Sequence, residues 1–378
     1  MPRKIDLIMG EINKKYKAEL IHQGTDIIEV DKIPFSSPLA NYMTYGGIPV
    51  GKFTEFFGGE GGGKTTSALD IVKNAQMKFV EAWQRKVDEL NKEIDELNAK
   101  DSKQAKQQAT KLQAKLDDLN EEGPKVVVYV DAEQTLDTRW AQLLGVDTES
   151  LILVRPQAET AEQVFQIIID LAGTGNVGLI VLDSIPMLVS QNIFDESMEK
   201  KSYGGISQAL TTFCQKITPI LTTTQCAFIG INQIREDLSS MYSTENTPGG
   251  KGWKHACSLR IKCRKGAFFD ANKGELTSRA ENPAGNKVEL SIVKSKSCKS
   301  DRRVGYYTLS YTDGIDIVYD AVNVALQYGL IRKSGAWYYL QQESEEKGFQ
   351  GIAKLLAFLH ENEVIFTELL KALEGEMR

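Results

Sequence analysis

The chain has 378 residues, of which 42% are hydrophobic and 25% charged, and a formal net charge of -6. That length suffices for a full domain core with one or two small additions. No stretch nears the roughly 20 apolar residues of a membrane span. The opening MPRKIDLIMGEINKKY lacks the apolar centre of a secretory signal, and five cysteines without CxxC or zinc spacing argue against a disulfide framework. A soluble, cytoplasmic protein is expected, with Cys214, Cys226, Cys257 and Cys263 filling core space.

Residues 3–17 read as a short amphipathic helix, followed by the strand DIIEV and a loop holding Pro34 and Pro38. This arm, taken as residues 1–35, is too small to form its own core and is expected to pack on this subunit or another. The apolar run FTEFF then leads into GGEGGGKTT, where five glycines occupy six positions. Glycine so dense is costly, because each loses more backbone freedom on folding than any other residue. Gly58, Gly63, Lys64 and Thr65 fit the spacing of a phosphate-binding loop, whose backbone N–H groups surround a polyphosphate at a helix N-terminus. Gly58, Gly59, Glu60, Gly61, Gly62, Gly63, Lys64, Thr65 and Thr66 are therefore the candidate cradle. Lys64 is expected to reach the outer phosphates, and the Thr65 hydroxyl to ligate Mg2+. The alternative is a flexible glycine loop without a ligand, which the flanking strand and helix disfavour.

From Lys64 to Glu122 the chain has neither glycine nor proline, far more helix than one crossover needs. Trp83, Val87, Leu90, Ile94 and Leu97 are spaced 4, 3, 4, 3, and Ala105, Ala109, Leu112, Leu116 and Leu119 repeat that spacing. Two such stripes separated by KDSK predict an antiparallel coiled-coil hairpin over residues 78–122, capped at Ser102 or Asp101 and closed by Gly123 and Pro124. Spacing leaves open whether it binds a partner protein or is a neutral insertion.

Further on, KVVVYV, LILV, GLIVLD and CAFIGI alternate with helical segments, the pattern of a parallel sheet covered on both faces. CSLRIKC, KVELSIV and VGYYTLSY follow without long helices and suggest an antiparallel extension. The fold expected is α/β, with a core over 36–312 and a small α+β unit over 313–378 containing AWYYL and a final helical stretch. Ligands of open parallel sheets sit at the carboxyl ends of the strands. Asp183 ends one strand and is the candidate to hold magnesium with Thr65, since an acid there is otherwise expensive to bury. Asp131 and Glu133 end another, and Glu133 is the candidate to polarise water. Asn232 and Gln233 end a third and can report a terminal phosphate, although a glutamine at a strand end is usually only a satisfied polar group.

Charge is unevenly spread. Lys251 to Lys265 holds six Lys or Arg and no acid, and Lys287 to Arg303 six more against two acids, whereas the segment from Gln341 has eight acids against four bases. A basic region inside an acidic protein is either a solvated face or a nucleic-acid footprint.

GGEGGGKTT, VDAEQTLD, LIVLDS, INQIR, TPGG, VKSKS and SGAWYYL stand in the order and approximate spacing of the RecA-type DNA recombinases, which the chain resembles over residues 1–77 and 123–378. The hairpin has no counterpart in the common bacterial form, so the chain looks like a divergent, phage-type member acting in a bacterial cell or an infected host. The resemblance implies a RecA-like P-loop ATPase core that uses ATP and Mg2+ and forms a filament of its own copies on single-stranded DNA, pairing it with homologous duplex. By position, Glu133 matches the catalytic glutamate and Gln233 the phosphate-sensing glutamine. Asp137 and Trp140 match adenine contacts, with Trp in place of the commoner Tyr. Lys294 and Lys296 match paired lysines that reach the ATP of a neighbouring subunit.

For DNA, the resemblance implies contacts by Lys200, Lys201, Tyr203 and Gly204 in a first loop, and by Arg235, Leu238, Met241, Tyr242, Gly249 and Gly250 in a second, where apolar side chains wedge between bases. Gln208 stands where the family commonly has Arg and His255 where it has Phe, which puts the family's coupling between subunits in question. Two other classes compete. A ring-forming motor of the same core would typically supply an arginine finger and no twin-lysine strand, and a non-hydrolysing module built around the hairpin would not need Lys64, Thr65, Glu133 and Asp183 together.

Overall fold

The computed structural model describes residues 4–16, 30–100, 102–195, 205–237, 244–277, 279–299, 301–342 and 345–377. It divides into two units, Met1–Asp31 and Lys32–Arg378. In the first, the helix Lys4–Tyr16 forms where the amphipathic pattern predicts one; DIIEV lies outside the described residues. The second unit begins inside the segment read as an arm, since Ile33 and Phe35 are already buried in the main core.

The main sheet of the second unit runs in the order Gly314–Ile315, Val304–Ser310, Gly285–Ser295, Leu259–Phe269, Phe53–Gly58, Ala227–Gln233, Val177–Asp183, Val126–Asp131, Leu151–Val154. From Leu259–Phe269 to Leu151–Val154 all neighbours are parallel. The remaining three pairings are antiparallel. The extension therefore starts one strand later than the absence of crossover helices suggests. CSLRIKC pairs parallel with Phe53–Gly58 because the helix Gly250–Ala256 returns the chain first.

Side chains alternate cleanly across this sheet, as the two-residue strand period requires. Val127, Tyr129, Leu179 and Val181 enter the core beneath the helix that follows the glycine loop. Val128, Val130, Ile180 and Leu182 enter the opposite core, beneath the helices Ala161–Gly173 and Gly205–Thr224. Burial on both faces explains why these strands read as unbroken apolar runs. Cys214, Cys226, Cys257 and Cys263 are all buried and free, and burial pushes the Cys214, Cys226 and Cys263 thiols up to about 12.

The C-terminal residues have their own core, in which Val322, Leu340, Leu355 and Leu373 meet between the helix Ile317–Gln327, a three-stranded antiparallel sheet and the helices Ile352–Glu361 and Glu363–Met377. The single final helical stretch of the sequence reading is thus two helices broken at Asn362.

The helix that follows the glycine loop runs without interruption from Lys64 to Asn98 and the chain returns in Lys103–Glu122. Ser102 caps the returning helix through its side chain, accepting from Ala105 N at 3.1 Å, while Asp101 lies outside the described residues. Ile94, Leu97, Ala105, Ala109, Leu112 and Leu116 form a cluster separate from the other cores, with Val87 and Leu90 against it. At the base, the Trp83 indole Nε1 donates to Leu119 O at 3.0 Å. Phe79 sits below that point and packs in the main core. A Cβ on Gly178 would lie 2.3 Å from its ring, so the glycine makes room for it.

The separate cluster and the contact between Trp83 and Leu119 predict where the hairpin can be cut. Replacing Gln84 to Asp118 with a short Gly-Ser turn should leave a folded protein with a melting temperature within a few degrees of the parent. Phe79→Ala should instead cost about 3–5 kcal/mol, as a large buried aromatic does. Thermal unfolding of both variants checks this, and an unfolded deletion would make the hairpin part of the main core.

Candidate nucleotide site and its surroundings

The glycine loop is shaped by the strand beside it. A Cβ on Gly58 would lie 2.1 Å from Cys263 O, so only glycine lets Leu259–Phe269 run so close. Gly63 has φ +87° and a Cβ there would meet Val288 at 2.7 Å, so both backbone and space require glycine where the helix begins. Lys64 Nζ donates to Gly59 O at 2.7 Å, within the loop itself. Glu60 and Gly61 are exposed and Thr66 is buried.

Three acids stand at strand ends, and each is held differently. Asp183 accepts from Thr65 Oγ1 at 2.9 Å and from Tyr129 OH at 2.6 Å. Burial pushes its carboxyl up; the two hydrogen bonds oppose that shift, and the charges of Glu133 and Asp131 add to it. Glu133 accepts on one oxygen from Ser184 Oγ at 2.9 Å and from Gln233 Nε2 at 3.0 Å. Asp131 accepts the backbone N–H groups of Thr135 and Leu136 at 3.1 and 3.2 Å and an ion pair from Arg155 at 3.3 Å. It holds the turn that presents Glu133, while Glu133 and Gln233 keep solvent access.

A hydroxyl and a carboxylate oxygen at the helix start suit Mg2+, which keeps waters and takes its remaining ligands from phosphate oxygens. Among the described residues no group of three or more His, Cys, Asp or Glu could hold a metal. The buried, proton-retaining tendency of Asp183 is the state that a cation beside it would relieve.

Beneath the loop lies a buried ion pair that strand periodicity had hidden. Glu55, fully buried in the middle of FTEFF, pairs with Arg260 and accepts Trp253 Nε1 at 2.9 Å and Asn232 Nδ2 at 2.8 Å. Asn232 also donates to Pro248 O at 2.9 Å, and Arg260 Nη2 to Thr247 Oγ1 at 3.1 Å. An acid in an otherwise apolar buried strand was the available signal, since it must find partners. Tyr129, Ser184 and Arg155 were also missed, and nothing in their spacing marks them.

Asp137 caps the helix Thr138–Leu143, accepting Arg139 N at 2.9 Å, with Trp140 half-buried in its first turn. Lys294 Nζ donates to Lys254 O and to His255 O at 3.1 Å, and Lys296 Nζ to His255 O at 2.7 Å. Both cations therefore sit on the carbonyl end of the helix Gly250–Ala256, the favourable end for positive charge. Partial burial and the Lys296 charge hold the Lys294 ammonium below its usual range. His255 and Gln208 are exposed.

Arg235 opens a two-stranded antiparallel ladder, Arg235–Asp237 with Thr244–Asn246. Gly249 and Gly250 both have positive φ, and Gly249 is seated against Leu210 and Trp253 at the start of the helix Gly250–Ala256. Lys200, Lys201, Tyr203, Gly204, Leu238, Met241 and Tyr242 lie outside the described residues.

Residues 102–316 match the model of the RecA N-terminal domain and residues 320–378 that of the RecA C-terminal domain. The first match begins inside the hairpin, beyond the glycine loop. Among curated proteins, the chain is 31% identical to Protein RecA of Thermus aquaticus over 90% of this chain and 84% of that protein. It is 28% identical to Protein RecA of Malacoplasma penetrans over 99% and 96%, and 27% identical to Protein RecA of Chlorobaculum tepidum over 94% and 88%.

Removing one partner of a buried ion pair strands the other. Glu55→Ala should destabilise the protein by about 3–5 kcal/mol, read as a lower urea midpoint. Glu55→Gln, which keeps the shape and some hydrogen bonds, should cost less. Equal losses for the two would assign the effect to the lost charge and not to shape.

Proposed function

The chain belongs to the RecA family, and on that premise we propose how this DNA recombinase links its nucleotide to DNA. It binds ATP with Mg2+ at the glycine loop, forms a head-to-tail filament on single-stranded DNA, and pairs that strand with homologous duplex. The observation that carries the link is the hydrogen bond from Gln233 to Glu133. It joins the candidate water-polarising carboxylate to the strand end that leads directly into the ladder at Arg235.

In this reading the backbone N–H groups of Gly59 to Thr66 and the Lys64 ammonium bind the phosphates, and Thr65 and Asp183 hold the magnesium. Bound there, the ion neutralises phosphate charge as the terminal phosphoryl group leaves. Ser184 and Gln233 orient Glu133 so that its free oxygen faces solvent and takes a proton from water. If Gln233 turns to a terminal phosphate, it must release Glu133, so a single amide reports the nucleotide and frees the base together. Asp137 and Trp140 flank the adenine, the indole stacking on the base. Lys294 and Lys296 exchange the carbonyls of Lys254 and His255 for a neighbouring subunit's nucleotide. Lys200, Lys201, Tyr203, Gly204, Arg235, Leu238, Met241, Tyr242, Gly249 and Gly250 line the DNA path.

Glu133→Gln should leave ATP and DNA binding nearly intact while turnover falls by about 10²–10⁴-fold, the usual worth of a general base. Steady-state hydrolysis with single-stranded DNA and nucleotide titration read this together. Comparable loss of nucleotide binding would make Glu133 structural. Negative-stain microscopy with single-stranded DNA and a non-hydrolysable ATP analogue tests the assembly: helical filaments support the proposal, and closed rings alone overturn it.

A further inference from the structure

Tyr129 brings a polar tip into an apolar core. Its side chain is fully buried among those beneath the helix Lys64–Asn98, and a buried phenol needs a hydrogen-bond partner. Strand register decides which partner it finds. Tyr129 pairs with Val181 and Asp131 with Asp183, so Asp183 stands two residues along the neighbouring strand on the same face, a diagonal that a long side chain spans. The phenol donates to Asp183 Oδ2 at 2.6 Å, and Thr65 Oγ1 donates to that same oxygen at 2.9 Å. Among the described residues Asp183 Oδ1 accepts no hydrogen bond. The two hydroxyls are not equivalent. Thr65 is half-buried at the start of the helix, whereas Tyr129 is enclosed and its one hydrogen bond among the described residues goes to this carboxylate.

We propose that Tyr129 is a positioning residue that sets which divalent cation the site prefers: with Oδ2 held by two hydroxyls, Asp183 has a single oxygen to offer. A carboxylate limited to one oxygen suits Mg2+, which demands near-octahedral geometry and keeps several waters. It handicaps Ca2+, which takes more ligands and commonly uses both oxygens of a carboxylate. Thr65 alone would hold Oδ2 less firmly, because its own hydroxyl is a candidate ligand. Groups outside the ligand set orient the ligands in other metal sites in this way. The inference rests on the reading that Thr65 and Asp183 hold the ion, and it assigns the choice of ion to a side chain that touches neither solvent nor phosphate.

The test measures binding and not turnover. The full chain without DNA is titrated with a fluorescent ADP analogue at increasing MgCl2 or CaCl2, and the ratio of half-saturating Ca2+ to half-saturating Mg2+ gives the preference. Tyr129→Phe keeps the ring and removes the donor. Its preference for Mg2+ should fall about tenfold, the worth of one hydrogen bond to a charged group, mainly because Ca2+ binds more tightly. Thermal melts without cation establish the fold first. Should Tyr129→Phe melt more than a few degrees below the parent, 4-fluorophenylalanine at position 129 fills the hydroxyl's space without a donor and carries the same expectation. An unchanged or increased ratio, or equal weakening of both cations, overturns the proposal and leaves Tyr129 a satisfied core residue. Asp183→Asn alone should raise the half-saturating concentration of both cations. Nucleotide binding that needs no divalent cation in the parent, or a cation requirement that Asp183→Asn does not alter, rejects the ion site itself and the inference with it.

Discussion

A carboxylate with no access to water must have its lone pairs filled by the protein, and Glu55 imposes that condition at the centre of the sheet. Its partners come from three other elements: Asn232 from the adjacent strand, Arg260 from the strand on the other side, and Trp253 from the helix between them in sequence. If the parallel strands slipped by one residue, the acid would pass to the other core and lose all three. The ion pair thus acts as a register key, and the same register sets Cys263 O against Gly58 and shapes the glycine loop. Arg260 and Asn232 extend it to Thr247 and Pro248, where the segment after the Arg235 ladder re-enters the fold.

Like charges at neighbouring strand ends would repel if nothing distinguished them. The fold gives the three carboxylates separate environments. Asp131 is neutralised by Arg155 and backbone N–H groups, Asp183 is buried under two hydroxyls, and Glu133 is left half-exposed with one oxygen engaged. Separating environments in this way is how a site assigns different tasks to one residue type. The sequence shows three acids at strand ends but not this division, because Tyr129, Ser184 and Arg155 come from three different segments of chain.

What was legible follows from period and from cost. The two-sided strands, the hairpin seam and its cap at Ser102 could be read because burial repeats every two residues in a strand and every three or four in a helix. The glycine loop could be read because its entropy cost needed a reason. Glu55 was read over because the three phenylalanines around it, Phe53, Phe56 and Phe57, outvoted it, although one buried charge carries more free energy than any of them. The parallel pairing of Leu259–Phe269 was illegible for another reason: Gly250–Ala256 is only seven residues long, too short to announce a crossover.

The hairpin is not a module on a tether. Its outgoing helix is the one that begins at the glycine loop, continuous over Lys64–Asn98, held to the sheet by Phe79 at one level and to the returning helix by Trp83 one turn above. A helix of 35 residues spans about 50 Å at 1.5 Å per residue, with no proline or glycine to bend it. The direction of the arm is consequently fixed by the same start that places Lys64 and Thr65. A small tilt of the helix at the loop would move the distal acids and lysines by a larger distance.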